Sequence, residues 1–361
     1  MTPKYIRLSN ILKEQISSNI RKGIYVLPTE EKLCKKYGVS RQTVRHALEI
    51  LIDEDLIERR QGSGTYIKDT SPNSAKGQVA VLLTHDNEYI YPSMLGDILF
   101  ALNRENYSST LYLTENKTAK EREFLKHLLN HPVHGIIAEP VRSALPNPNL
   151  DLYDLLRERG TVILFLSGLY PNFPAFPYVK SDDFYGGYIL GKYLLQRRHH
   201  VITGIFRQDD HKGIQRYLGL ITALTDASAA FKDENIGWFS SDELTRLQEK
   251  QDTGFLAEFI RSRLNTCTAV VCHNDEIAYW LMKELKTAGI SVPADVSIVS
   301  FDNSYLSNFG AQRITSLSHK THELGRTAAA GLVSLLQGKP FTSVSLSWHL
   351  VTRSSDKIHE N

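Results

Sequence analysis

Long apolar runs are missing from this chain. No stretch of the 361 residues approaches the roughly 18 consecutive apolar positions that a membrane-spanning helix requires, and the amino terminus, MTPKYIRLSN, lacks the apolar segment of a secretion signal. The protein is therefore expected in the cytoplasm, with no membrane partner. Cysteine is scarce: Cys34, Cys267 and Cys272 form an odd set in a long chain, which disfavours a disulfide framework and suits reduced core residues better than metal ligands. Glycine is absent from VAVLLTHDNEYIYPS, Val79 to Ser93, so the first apolar strand is not followed by a phosphate-cradling loop. Neither GxSxG nor HExxH occurs, and the thirteen histidines are scattered. No cofactor, no metal and no catalytic residue is expected. An α/β enzyme with a DNA-binding appendage finds no nucleophile, base and orienting group to support it.

What is present is a globular mixture, 42% hydrophobic and 23% charged, long enough for two or three packed units. Charge is uneven. Residues 1–70 carry 13 Lys and Arg against 9 Asp and Glu, which leaves 29 against 31 in the remainder. The basic excess at the front suits a polyanion.

The stretch KYGVSRQTVRHALEILIDEDLIERRQGSGTYIKD, Lys36 to Asp69, gives that excess a form. Ser40 is a good N-cap, and Val44, Ala47, Leu48 and Leu51 recur at helical spacing, so a helix over about 41–54 buries one stripe. Arg41, Gln42, Arg45 and His46 then lie off the stripe, and Arg and Gln can form paired bonds to guanine and adenine edges. Upstream, Thr29 caps EEKLCKKYG, a short helix ended by Gly38, which gives helix-turn-helix spacing. Downstream, LIERRQGSGTYI reads as a hairpin wing around Gly62, Ser63 and Gly64, suited to a groove or a phosphate backbone. The segment LPTEEKLCKKYGVSRQTVRHALEILIDEDLIERRQGSGTYI resembles the winged helix-turn-helix of GntR-type repressors. The loop IRKGIYVLPTE is shorter than is usual there. The resemblance implies DNA contacts by Ser40, Arg41, Gln42, Thr43, Arg45, His46, Gln61, Gly62, Ser63 and Gly64, with operator DNA as the partner.

The polar run KDTSPNSAKG reads as a linker. The expected organisation is a winged helix-turn-helix over 1–69, a linker over 70–77 and a second domain over 78–361. In that domain the apolar runs VAVLL, STLYL, GIIAE, TVILFL, ITGIF, TAVVC and SIVSF alternate with amphipathic stretches at 118–130, 183–196, 253–264 and 274–288. The fold class expected is α/β: a winged helix-turn-helix followed by a domain of parallel sheets flanked by helices, whose length suits two lobes. The crossover between lobes is expected between Leu195 and Ile202, where QRRHH breaks the pattern.

In open α/β sheets ligands sit at the carboxyl ends of strands. The residues ending the runs are His85 and Asp86, Glu139, Ser167, Asp182 and Asp183, Asp209 and Asp210, His273 to Asp275, Asp302 and Asn303 and, after RITSLS, His319. Several are also good helix caps, Asn274 and Asp183 among them. A ring of Asp, Asn, Glu and His with Tyr91, Phe165, Tyr170 and Phe301 nearby suits a sugar, whose hydroxyls need fixed partners and whose C–H face needs an apolar cover. The segments EPVRSALPNPN, SDDFYGGY, GIFRQDDHKGIQRYLGL, VCHNDEIAYWLMKELKTAGISVPADVSIVSFDNS and RITSLSHKTHELGRTAAAGLVSLL resemble the effector domain of LacI/GalR-type regulators, which implies a two-lobed, periplasmic-binding-protein-like domain. QRRHH and Ser300 depart from the usual wording. Joined to a GntR-type winged helix, this is similar to the family of L-arabinose-responsive repressors. The resemblance implies that Asp182, Arg216, Asn274, Asp302 and His319 line the effector cleft. Tyr91, Glu139, Arg142, Arg207 and Asp275 complete the candidate effector set. It implies a homodimer released from a palindromic operator by a small sugar, L-arabinose or another pentose, carbohydrate or nucleoside.

Overall fold

The computed structural model describes residues 4–21, 27–54, 56–60, 64–67, 76–86, 89–171, 173, 176–229, 231–264 and 267–360. The chain divides into two compact units, Met1–Lys76 and Gly77–Asn361.

The first unit begins with α1 (Lys4–Arg21), α2 (Glu30–Tyr37) and α3 (Arg41–Asp53). Thr29 and Ser40 cap α2 and α3 by accepting from the backbone N–H three residues on, and Gly38 ends α2 at φ +61°, a conformation that costs glycine little. Val44, Ala47, Leu48 and Leu51 are buried against Leu8, Leu12, Leu33 and Ile57. Strands β1 (Ile57–Arg60) and β2 (Gly64–Ile67) pair antiparallel with Arg60 opposite Gly64. Leu27 N–H donates to the Thr65 carbonyl at 3.0 Å and ties the chain ahead of α2 to the wing.

The second unit holds two six-stranded sheets. The first comprises β3 (Gly77–Leu83), β4 (Tyr107–Leu113), β5 (Gly135–Ala138), β6 (Val162–Leu166), β7 (Tyr178–Ser181) and β13 (Val344–Leu346), in the order β13-β7-β6-β5-β3-β4 with every pair parallel. The second comprises β8 (Ile202–Arg207), β9 (Ile236–Phe239), β10 (Ala269–Cys272), β11 (Ser297–Phe301), β12 (Thr315–Ser318) and β14 (His349–Val351), in the order β14-β12-β11-β10-β8-β9, with only β14 antiparallel. Helices α4 (Tyr91–Arg104), α5 (Thr118–Asn130), α6 (Leu150–Glu158) and α12 (Glu323–Leu336) accompany the first sheet. Helices α7 (Asp183–Gln196), α8 (His211–Asp226), α9 (Ser241–Lys250), α10 (Gly254–Arg263) and α11 (Asp275–Thr287) cover the second.

The crossover expected at 195–202 is corrected by this topology. Leu190 and Leu194 of α7 already pack with Ile202, Phe206 and Val299 of the second sheet, so QRRHH is a turn inside one lobe. The chain changes lobe three times: at Asp182 between β7 and α7, over residues 319–322 between β12 and α12, and at 347–348 between β13 and β14. Charged residues marked a surface turn, and the true crossings are short segments with no break in composition.

Helices α7 and α8 approach more closely than side chains permit. A Cβ on Gly187 would lie 2.1 Å from the Arg216 carbonyl oxygen, and one on Gly219 would lie 1.9 Å from that of Phe184. Gly219→Ala should therefore force the helices apart and cost about 1–3 kcal/mol, read from urea unfolding of the full chain. A loss below ~0.5 kcal/mol would contradict the close approach.

Candidate DNA-reading helix and effector cleft

On α3, Arg41, Gln42, Arg45 and His46 are exposed, while Thr43 is half-buried. The hydroxyls of Ser40 and Thr43 bond each other at 2.8 Å, and Ser40 accepts from Thr43 N–H, so Ser40 also holds the helix start. The Nε of Arg41 and of Arg45 both donate to Glu30 Oε2, at 3.2 and 3.1 Å. His46 sits edge-on to Tyr5 with ring centroids 5.6 Å apart. Glu30 went unnoticed in the sequence because an acid in the first turn of a helix already has a reason to be there. Gly64 opens β2, whereas Gln61, Gly62 and Ser63 lie outside the described residues.

The carboxyl ends of the two sheets supply the cleft. From the first lobe Glu139, just past β5, accepts from Thr84 N–H at 3.0 Å, from the Thr84 hydroxyl at 2.7 Å and from the Tyr91 hydroxyl at 3.1 Å. From the second, Lys212 reaches Glu139 at 3.6 Å and Asp210 at 3.8 Å. Asp210 caps α8 and accepts from the Ser143 hydroxyl of the first lobe at 2.9 Å. Burial alone would lower the Lys212 ammonium and raise the Asp210 carboxyl, but each charge favours the other, so both stay ionised. Arg207 lies between Asp209, at 3.2 Å, and Ser241, at 2.7 Å. Tyr91, Glu139, Arg142, Arg207, Asp210 and Lys212 line a narrow polar cavity with about 20 Å³ of free space. A larger one of about 210 Å³ adjoins it and shares Asn116, Arg142 and Arg207.

A second cluster forms at the ends of β10 and β11. Arg216 is almost wholly buried. Its Nε donates to Asp183 at 2.8 Å, its Nη1 to the His273 carbonyl and its Nη2 to Asp302 at 3.4 Å. The guanidinium lies 4.2 Å from the centre of the Phe301 ring and 5.6 Å from that of Trp348. Asp302, at φ +88°, also accepts from the Tyr89 hydroxyl of the other lobe at 2.8 Å. His273 Nδ1 and Trp348 Nε1 are buried polar atoms without a hydrogen-bond partner among the described residues. Burial, with Arg216 nearby, holds the His273 imidazole well below the usual range and therefore neutral.

Residues 4–67 match the bacterial regulatory proteins of the gntR family, and residues 192–355 match the periplasmic binding protein-like domain. The arabinose metabolism transcriptional repressor of Halalkalibacterium halodurans is 31% identical over 91% of this chain and 89% of its own. That of Geobacillus stearothermophilus is 29% identical over 98% of both. The chain belongs to the arabinose metabolism transcriptional repressor family. It is a transcriptional repressor and not an enzyme. The transcription regulator CcpA of Lactococcus lactis superposes with a TM-score of 0.67 at 21% identity, covering 78% of this chain and 99% of that one, and shares the fold. No helix among the described residues is long and apolar enough to cross a membrane.

The structure sorts the repressor's ten expected effector residues into groups. Tyr91, Glu139, Arg142 and Arg207 share the polar cavity, and Arg216 and Asp302 share the buried cluster. Asp182 accepts from Tyr185 N–H and Asn274 from Ile277 N–H, so both serve as helix caps. His319 bonds the crossover segments: its Nε2 meets the Ser181 hydroxyl at 2.7 Å and its Nδ1 the Ser347 carbonyl at 3.0 Å. Asp275 is buried and accepts from Ser304 N–H at 2.6 Å and from the Ser316 hydroxyl at 2.7 Å, joining α11 to β12. Sequence reasoning misses Lys212, Asn116, Tyr89 and Trp348. Lys212 alone carried a signal, as a cation in the first turn of a helix that follows a strand end.

Arg45→Ala should cost about 1–3 kcal/mol on operator DNA and less on random DNA in gel-shift titrations, and equal losses would make Arg45 a phosphate contact. Burial raises the Asp275 carboxyl from 3.8 to about 7. The folded chain then holds a proton that the unfolded chain releases, so this contribution is complete below about pH 4 and is lost as pH rises through 7. Asp275→Asn should remove that dependence, gaining several degrees in Tm relative to wild type between pH 5 and 8. A constant difference in Tm across that range would refute it.

Proposed function

We propose that L-arabinose is the effector and that it binds between the two lobes of the second unit. In this reading residues 1–69 bind a palindromic operator as a homodimer in the cytoplasm, residues 70–77 link, and residues 78–361 receive the sugar. The observation that carries it is the cluster around Arg216. A buried guanidinium, the Asp302 carboxylate and the Tyr89 hydroxyl offer donors and acceptors at one place, with the rings of Phe301 and Trp348 beside them. A small polyol with an apolar face uses all of them. The relatives' names, which specify arabinose metabolism, support the choice of pentose. Binding of sugar and of operator must oppose each other by the same factor, because the coupling free energy is shared.

Calorimetry with L-arabinose, D-xylose and D-ribose, beside an operator gel shift with and without each sugar, tests this. L-Arabinose should bind and reduce operator occupancy. Asp302→Ala should keep operator binding while losing sugar affinity about tenfold to a hundredfold, since Arg216 and the Tyr89 hydroxyl would lose a buried acceptor worth about 1–3 kcal/mol. Normal sugar affinity in that variant sinks the role of Asp302, and no L-arabinose binding by the wild type sinks the effector assignment.

A further inference from the structure

On the β9 side of the cleft four side chains join the lobes. Arg142 Nη2, from the loop after β5, donates to Asp242 Oδ1 in the first turn of α9 at 2.7 Å. Beside it, Asn116 Nδ2 donates to the Ser241 hydroxyl at 2.8 Å. Both ends of this bridge are fixed within their own lobe. The Arg142 backbone, held at φ +42°, donates its N–H to Asn116 Oδ1 at 2.8 Å. One residue earlier, Val141 N–H donates to the Tyr170 hydroxyl, which in turn donates to the fully buried Glu121. Across the cleft, Ser241 takes Arg207 and gives to Asp209. A left-handed backbone at a non-glycine residue is uncommon and persists where its surroundings impose it. Here it aims a guanidinium at a carboxylate of the opposite lobe, so the pair exists only when the lobes are together.

We infer that Arg142 and Asp242 are positioning residues, a clasp that holds the lobes closed over the effector, and that Arg142 acts through Asp242 instead of bonding the sugar. This rests on the effector reading above. The two side chains are 32% and 68% exposed, so solvent screens the pair and its effect is modest. Reversing one charge replaces attraction by repulsion, and reversing both restores it.

The test is L-arabinose calorimetry on the full chain. Arg142→Glu and Asp242→Arg should each weaken binding by about 3–10-fold, the range for a partly exposed pair turned repulsive. The double reversal should return to within about twofold of wild type, and small-angle scattering should show compaction on adding L-arabinose in the double variant but less in either single one. A double variant as weak as the weaker single one overturns the clasp, as does a single reversal without effect. If Arg142→Glu does not fold, Arg142→Met and Asp242→Met decide: a double loss no larger than either single loss supports the clasp, and additive losses overturn it. A wild type that does not bind L-arabinose overturns the effector reading and the clasp together, whereas wild-type binding without rescue overturns the clasp alone.

Discussion

The buried guanidinium of Arg216 is the constraint on which the effector unit turns. A charge taken out of water is costly unless it is paired and its donors are used, and Arg216 meets both conditions only by drawing groups from several parts of the chain. Asp183 comes from the start of α7, the His273 carbonyl from the end of β10, and Asp302 from the end of β11. The ring of Phe301 covers its face, and Trp348 arrives from the third crossover. The glycine contact between α7 and α8 follows from the same need: Gly187 packs on the Arg216 backbone itself, and Gly219 on that of Phe184, the residue after Asp183. With ordinary side chains at those positions the guanidinium and its first carboxylate would stand too far apart.

The cleft between the lobes has a related economy. Lys212 and Arg207 on the second lobe face Glu139 on the first and Asp209 and Asp210 beside them. Each lobe alone would present part of this set to water, and closure removes it from water with its partners in place. Charges of both signs face one another there, so each is offset by a partner of opposite sign.

Much of the fold was legible because local signals agreed. The caps at Thr29 and Ser40, the stripe from Val44 to Leu51 and the long apolar strands each have a single physical reading, and the structure places them so. The strands β7, β9, β13 and β14 were not legible. They span three or four residues, β7 and β13 with polar positions between the apolar ones, and they become strands only because a neighbour offers a ladder. The site was legible in its residue types and less so in their roles. Asp182 and Asn274 follow strands and precede helices, so a cap and a ligand share one sequence signature, and the hydrogen bonds from Tyr185 N–H and Ile277 N–H show the cap. Tyr89 left no trace, since it reaches Asp302 across a lobe boundary that sequence spacing does not express, and Trp348 left none because its partners Phe301 and Arg216 lie far away in sequence.

His319 shows how the three crossings act as one. Its imidazole joins Ser181 at the first crossing to Ser347 at the third, while the residue itself begins the second, and its ring stacks on Trp348 at 3.7 Å. Burial lowers its pKa, so the neutral ring can donate from Nδ1 to the Ser347 carbonyl and accept at Nε2 from the Ser181 hydroxyl. A rotation of one lobe against the other must pass through these three strands of chain. Because one side chain binds all of them, they bend together, and the same Trp348 that stacks on His319 has its ring 5.6 Å from the Arg216 guanidinium. This gives the cluster around Arg216 leverage on lobe closure that a site farther from the crossings would lack.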